Sequence, residues 1–497
     1  MLRNSLAHLI ARIAALVAGI VAIPLVTLTL GTEALGLVGV YATLQAMLGL
    51  FDLGLPVAVN HRLAVMIGRN AAPVQQAVMV RTLETIFWAL VTLFFVVGFG
   101  LRGPLTDSWL NVTVLSRATV DSALVLMIGA AAIRFPVAFY TNVLFAYDRH
   151  VFPNAVTALS AILRILVALV ALVGFHVGIV GFFVIQLVGS MAEVVLLAGG
   201  VWLAQPHRGV APRWASLQEI GRMAGGLTLV SLTAVVLSQI DKVILSKLLS
   251  LGDFGLYSAG YTFAAGLVAL SYPVGNAVFP QLSRGLNAKK SDVARIVHVA
   301  TELNILILVP LGCVMIMQTE SLLRLLFLVK PMPDALIMIL PLMMLGGMSQ
   351  AFVTLPHLFQ VAAGRVATVV WINASFLIPY GAGILVATWK VGVFGAAAAF
   401  VAFNILRLLV HWGVLLSDSH TQTIWLPAIG LTLASVGGGL ILASAPTMIR
   451  IPEPGAILIA VLSVPALVIL ATIMMPRSRE RLFALYRVGI WGDDTKS

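Results

Sequence analysis

The sequence predicts an all-α polytopic membrane protein of about fourteen transmembrane helices, and three observations carry the prediction. Hydrophobic residues make up 60% of the 497 residues and charged residues 10%, at a mean hydropathy of +1.06. The apolar residues lie in continuous runs of roughly 20, the length a helix needs to cross a hydrocarbon core of about 30 Å. The charges between the runs are sorted by side, as membrane insertion requires. Barrel strands would alternate apolar and polar residues instead. A soluble core of this size has no way to hide so much apolar surface.

Taken in order, the first run is 6–29. Arg12 interrupts its front and no small-residue cleavage pattern follows it, so it reads as a retained span rather than a leader. Run 37–58 carries Asp52 in LFDLGL (50–55), and 82–100 begins beside Glu84. Run 119–142 holds Arg134 just ahead of Pro136, 152–174 has Arg164 at its centre, and 179–203 contains Glu193. Asp241 and Lys242 are adjacent in 223–249. Pro273 and Pro280 fall in or at the edge of 257–280, where they kink a helix and free its carbonyls. Run 298–318 contains Cys313, the one cysteine, which excludes a disulfide framework or thiol-rich metal site. Pro341, Pro356 and Pro379 kink 335–357 and 367–388, and His357 closes the former. In 393–416, Gly395 and the four alanines after it give a thin face for close helix packing. Runs 426–446 and 455–475 complete the set, before the basic tail 477–497.

The formal charge of +11 would suit a nucleic-acid partner until it is sorted by side. With a cytosolic N-terminus, 18 Lys/Arg fall inside and 7 outside. The excess is therefore a topology signal, and no nucleic-acid partner is expected. Both termini are placed in the cytosol of a multi-pass membrane protein. A reporter active only outside the cytosol, fused after Ser497, should stay silent. Strong activity there would mean an odd error in the span count.

The chain also repeats itself. VGIVG (177–181) recurs as VGVFG (391–395), FAYDRH (145–150) aligns with VAAGRV (361–366) through Arg149 and Arg365, and ALGLV (34–38) matches DFGLY (253–257). The matches keep their order, and each copy holds six spans. Six is even, so the two copies enter the membrane in the same sense, the parallel-repeat plan of many transporters. The predicted organisation is an N-terminal six-helix lobe (1–210), a C-terminal six-helix lobe (211–417), two additional helices (418–476) and a cytosolic tail (477–497).

Ionisable residues inside spans cost about 2.5–3.5 kcal/mol each at the centre and mark function by default. The competing reading is snorkelling to the headgroups. Arg164 is too deep to snorkel, whereas Arg12 has that option. Arg164, Arg134, Arg12 and Arg407 are the candidate substrate-binding residues: four planar cations at mid or cytosolic depth suit phosphate oxygens. Asp52, Glu193, Asp241 and Lys242 are the candidate coupling or gating residues. Glu193 and Arg407 occupy matched positions in the two copies, which predicts a contact between them. Asp241 and Lys242 point about 100° apart on a helix, which predicts that they do not pair with each other. Glu84, Glu302 and His357 are placed at headgroup level. No acid in the same span sits one turn away to neutralise Arg164, and a transported phosphate, water or a neighbouring helix is expected to do so; Arg164→Ala is expected to abolish transport while leaving the protein in the membrane.

No phosphate-binding loop, HExxH or His/Cys cluster is present, so neither ATP hydrolysis nor a cofactor is expected. QIDKVILSKLLSLGDFGLYSAGY (239–261) with VFPQLSR (278–284) resembles the seventh and eighth spans of bacterial polysaccharide flippases. IPLVTLTLGTEALGLVGVY (23–41) with LFDLGL resembles their first two spans, and NVLFAYDRHVFPNAVTALSAILRIL (142–166) their fourth-to-fifth connection. The chain resembles the multidrug/oligosaccharidyl-lipid/polysaccharide exporter superfamily in its O-antigen and exopolysaccharide (Wzx-type) branch. That resemblance implies a MATE-like, non-enzymatic flippase for an undecaprenyl-diphosphate-linked glycan in cell-surface polysaccharide or lipopolysaccharide biosynthesis. Membrane lipid, polysaccharide polymerase and export proteins are the partners it implies. A cation-coupled drug or metabolite antiporter of the same fold and a membrane glycan polymerase or ligase are the alternatives. The first span has no acid, and the arginine-rich first-span pattern of lipid II flippases is missing.

Overall fold

The computed structural model describes residues 19–49, 54–205, 210–213, 217–285, 290–327 and 332–448, and these are almost entirely helical. The helices are α1 (Gly19–Leu30), α2 (Thr32–Leu48), α3 (Leu55–Gly68), α4 (Pro73–Pro104), α5 (Arg117–Arg134), α6 (Val137–Ala146), α7 (Val151–Gly174), α8 (Ile179–Ala204), α9 (Leu217–Leu248), α10 (Leu251–Gly285), α11 (Lys290–Met317), α12 (Thr319–Phe327), α13 (Asp334–Ala362), α14 (Val366–Leu416) and α15 (Ser419–Met448). Among the described residues, nine helical stretches are long and apolar enough to cross a membrane. Run 455–475, the tail, Arg12 and Asp52 lie outside the described residues.

Where a predicted run and a helix differ, a particular residue is responsible. Run 37–58 is divided between α2 and α3, and Gly54 ahead of α3 has φ 69°, a left-handed conformation natural to glycine. Run 119–142 becomes α5 and α6, broken at the Phe135–Pro136 step by a ring with no N–H to donate. Runs 367–388 and 393–416 form one long element, α14, bent at Gly392 with φ 62°. Left-handed residues at Asp148 and Gly364, and at His176 and Gly392, are both 216 residues apart. That is also the spacing of Arg149 and Arg365, as two copies of one unit would give.

The chain divides into two compact units that change over at Ala259/Gly260. In unit 1, α7 packs on α8, α5 on α8, and α3 on α6. Phe87 stacks on Phe139 at 4.9 Å and lies 5.2 Å from Phe135, filling the space between α4 and the broken α5–α6 pair. Leu159, Leu163, Leu166, Val170 and Val173 form an exposed apolar face on α7, whereas Val156, Ala168 and Leu172 are buried. An apolar outer face of this kind is what lipid contact calls for. Unit 1 extends past the repeat boundary at 210 because α9 packs against α2 and α3.

Polar side chains tie one end of unit 1 together. The Glu33 carboxylate accepts from the backbone N–H groups of Thr113, Val114 and Leu115 and from the Thr113 hydroxyl, at 2.6–3.0 Å. Asn111 donates from Nδ2 to the carbonyls of Lys247 (2.8 Å) and Leu249 (3.1 Å), and its own carbonyl accepts from Leu251 N–H at 2.9 Å. The 105–116 loop is thereby bound to both the start of α2 and the α9–α10 turn.

In unit 2, α13 packs on α14 and on α11, and α15 on α11 and α14. A Cβ at Gly347 would lie 2.7 Å from the Ala264 methyl, so this glycine lets α10 and α13 approach closely. Beyond the spans, Arg365 donates to Asp418 at 2.6 Å and joins the α13–α14 turn to the α14–α15 turn. That bond, with a further one from His420 N–H, holds the Asp418 carboxyl below its ordinary range.

Candidate functional site

Three helices of unit 1 bring Arg134, Arg164 and Glu193 together. Arg164 lies about 20 Å along α7 and Glu193 about 21 Å along α8 at ~1.5 Å per residue, so both sit near the middle of their helices. Arg164 Nη1 donates to Glu193 Oε2 at 2.7 Å, and Arg134 Nε lies 3.6 Å from the same oxygen. The side chains of Glu193 and Arg164 are 0% and 6% exposed, whereas that of Arg134 is 29% exposed. Two permanent cations share one carboxylate, so the cluster carries a surplus positive charge. The surplus is presented by Arg134, the accessible member. Tyr41 of α2 is in electrostatic reach of all three and sits edge-on to Phe183 at 5.6 Å.

Gly189, on the α8 face toward α7, makes this geometry fit. A Cβ at Gly189 would collide with the Arg164 stem, its Cδ lying only 2.7 Å away. A glycine inside a helix costs about 1 kcal/mol relative to alanine. Here that cost admits the arginine stem against the α8 backbone. The sequence contains the signal, an isolated glycine in a helical run, but not the identity of the side chain it accommodates.

The structure corrects several expectations. Arg164 does have a neutralising acid, Glu193, supplied by the neighbouring helix rather than by its own. Within its own unit each of Glu193 and Arg407 has a local partner: Glu193 has Arg164, and Arg407 Nη2 donates to Asn373 Oδ1 at 3.3 Å. Asp241 and Lys242 were expected not to pair, yet Lys242 Nζ lies 3.1 Å from both Asp241 oxygens and donates to Ser238 O at 2.7 Å. A lysine's four-carbon stem is long enough to fold back across the 100° between neighbours, and burial strengthens the attraction. Tyr257 of α10 donates to the same carboxylate at 2.7 Å, so this pair fastens α9 to the start of α10.

Glu84 is enclosed by protein rather than open at the end of its helix. It is 5% exposed and accepts from Tyr140 Oη (2.7 Å), Trp202 Nε1 (3.2 Å) and Arg81 Nη1 (2.5 Å). Trp88 Nε1 donates to the same Tyr140 oxygen at 3.0 Å. The α6 and α8 helices cover this part of α4, which hydropathy along one helix does not reveal. Glu302 is likewise 5% exposed and pairs with His298 at 3.0 Å. Among the described residues, no group of three or more His, Cys, Asp or Glu side chains could hold a metal ion.

A family model described as "Polysaccharide biosynthesis protein" matches residues 1–286. No curated protein matches the chain in sequence. The lipid II flippase MurJ in an inward closed conformation superposes with a TM-score of 0.72 at 12% identity, over 96% of this chain and 99% of that one. An inward-facing multidrug resistance MATE transporter of the MOP superfamily gives 0.67 at 15% identity, over 83% of this chain and 96% of that one. A MOP superfamily transporter from Pyrococcus furiosus, described as having a binding pocket of reversed polarity, gives 0.58 at 13% identity, over 83% and 94%. At these identities the likeness is one of fold.

Proposed function

The chain belongs to the polysaccharide biosynthesis protein family, and from that membership and the geometry of unit 1 we propose that it flips an undecaprenyl-diphosphate-linked oligosaccharide from the cytosolic to the outer leaflet. The fold is that of MOP-superfamily membrane transporters, MurJ among them. The single observation that carries the reading is the Arg134–Glu193–Arg164 cluster. In this reading Glu193 holds Arg164 in place, and Arg134 offers its guanidinium fork to a phosphate oxygen of the cargo. Alternating access between leaflets would then carry the anionic head past the apolar core without leaving it unpaired. The chain's own chemistry here is binding and release, with no covalent step.

The drug-antiporter alternative calls for acids able to take up an organic cation. Glu193 and Asp241 already bond Arg164 and Lys242, which supports that alternative less.

Arg134→Gln is the direct test, because Glu193 keeps its bond to Arg164 and the fold is spared. Lipid-linked oligosaccharide should accumulate in the cytosolic leaflet, with export reduced at least about tenfold, the value of one lost charge-assisted hydrogen bond of ~1.5 kcal/mol or more. Arg134→Lys should keep part of the activity. Normal export by Arg134→Gln at normal expression would return Arg134 to a structural role.

A further inference from the structure

Unit 2 holds a second concentration of buried polar side chains, which the reading above does not use. His357 and Gln360 lie on one turn of α13. Asn373 lies on the first half of α14, and Asn404, Arg407 and His411 follow at helical spacing on its second half. Gln360, Asn373 and His411 are 0% exposed and Asn404 is 1% exposed. The Arg407–Asn373 bond joins the two halves of α14, and the His357 and His411 rings lie 6.2 Å apart across α13 and α14.

Most of these groups have hydrogen-bonding capacity left over. Among the described residues, none hydrogen-bonds to Gln360 Nε2 or Oε1, Asn373 Nδ2, Arg407 Nε, His357 Nδ1 or either ring nitrogen of His411. Asn404 donates to Phe400 O at 2.8 Å, which leaves its own oxygen unused. Each buried, unmet polar group costs about 1–3 kcal/mol. So many in one place call for a bound partner.

The donor set identifies the partner's chemistry. Arg407 is a permanent cation, and among the described residues no carboxylate pairs with it. Spare N–H groups on Arg407, Asn373 and Gln360 would complement negatively charged oxygens. The free oxygens of Gln360 and Asn404 would accept a hydrogen bond from a hydroxyl of the same ligand. A halide has no proton to give, whereas a hydrogenphosphate group has both kinds of oxygen.

We propose that Arg407, Asn373, Gln360, Asn404, His357 and His411 form a binding site for a protonated phosphate group within unit 2. The phosphate is either the free inorganic ion or a lipid headgroup, and the two arms of the test distinguish them. The site stands on its own geometry and does not rest on the transport reading.

The test uses the full-length protein in nanodiscs of zwitterionic phosphatidylcholine, with thermal unfolding as the readout. One arm adds inorganic phosphate, a second incorporates undecaprenyl phosphate, and chloride serves as the comparison anion. Each arm is run on the parent, on Arg407→Gln, on Asn373→Asp and on Arg134→Gln. Asn373→Asp is nearly isosteric and places a carboxylate against Arg407, so it should fold while occupying the cation that the phosphate needs. At saturating phosphate the parent should gain at least about 2 °C. The gain should shrink in Arg407→Gln and Asn373→Asp, any remainder being phosphate held at Arg134, and the share those two remove should persist in Arg134→Gln. A gain with inorganic phosphate identifies the free ion as a ligand, and a gain with undecaprenyl phosphate alone identifies the lipid. No gain in either arm, a gain undiminished by both unit 2 substitutions, an equal gain with chloride, or a gain wholly lost in Arg134→Gln would overturn the proposal.

Discussion

Arg164→Ala should destabilise the protein by about 3 kcal/mol or more, rather than leave it intact in the membrane, because it strands Glu193. Sequence alone gives the opposite expectation, since removing a buried charge with no neighbour is a relief. The 2.7 Å bond from Arg164 to a carboxylate that is 0% exposed reverses that sign. Arg134, 3.6 Å from the same oxygen, offsets part of the loss and keeps the cost toward the lower end of the ~3–5 kcal/mol range for a broken buried pair. The measurable consequences are a lower yield of membrane-inserted protein and a lower unfolding midpoint in detergent. Arg164→Met combined with Glu193→Gln removes both charges, keeps the volume and should recover most of that stability. The double variant should still export less than the parent, because Arg134 keeps its charge but loses the carboxylate 3.6 Å away that positions it. If Arg164→Ala alone unfolds at the parent's midpoint, the pair is not holding α7 to α8.

The helices and the positions of their charges along them were legible in the sequence because both follow from local properties. Apolar run length sets where a helix lies, and rise per residue sets how far along it Arg164 and Glu193 fall. Partners were not legible, because they depend on which helices become neighbours. Arg164 was read against acids in its own run, and its partner came from α8. Glu84 was placed by distance from the end of its run, and α6 and α8 cover it with Tyr140 and Trp202. Asp241 and Lys242 show a different failure: the helical-wheel angle was right, but it describes Cβ directions and not the reach of a lysine stem. The repeat comparison matched Glu193 with Arg407 by position, which says nothing about whether two equivalent sites touch. Glycines were the least used signal. Gly189 and Gly347 mark places where something passes unusually close, and each is visible in the sequence as an isolated small residue in an apolar run.

The largest steric effect is expected at Gly255, where a side chain would meet backbone rather than flexible neighbours. A Cβ built there lies 2.6 Å from both Gly36 N and Thr32 O, at the start of α2. Backbone atoms have no rotamer to retreat into, so α2 and the first turns of α10 must separate. The same junction is held by Glu33 on the 113–115 backbone and by Asn111 on the α9–α10 turn, so separation strains those bonds as well. Overpacking costs about 1–3 kcal/mol where neighbours adjust, and the cost here should reach or exceed the upper end. Gly383 provides the control: it is also inside a helix, but a Cβ there meets nothing within 4 Å. Gly383→Ala should be neutral or stabilising, by up to about 1 kcal/mol of helix propensity. Gly255→Ala should lower the unfolding midpoint, and Gly255→Leu should lower it further or prevent accumulation in the membrane. Proton exchange at the Thr113, Val114 and Leu115 amides should also speed up in Gly255→Ala, since their acceptor on Glu33 moves with α2. If Gly255→Ala and Gly383→Ala unfold at the same temperature, the close approach of α2 and α10 is not what glycine is there to permit.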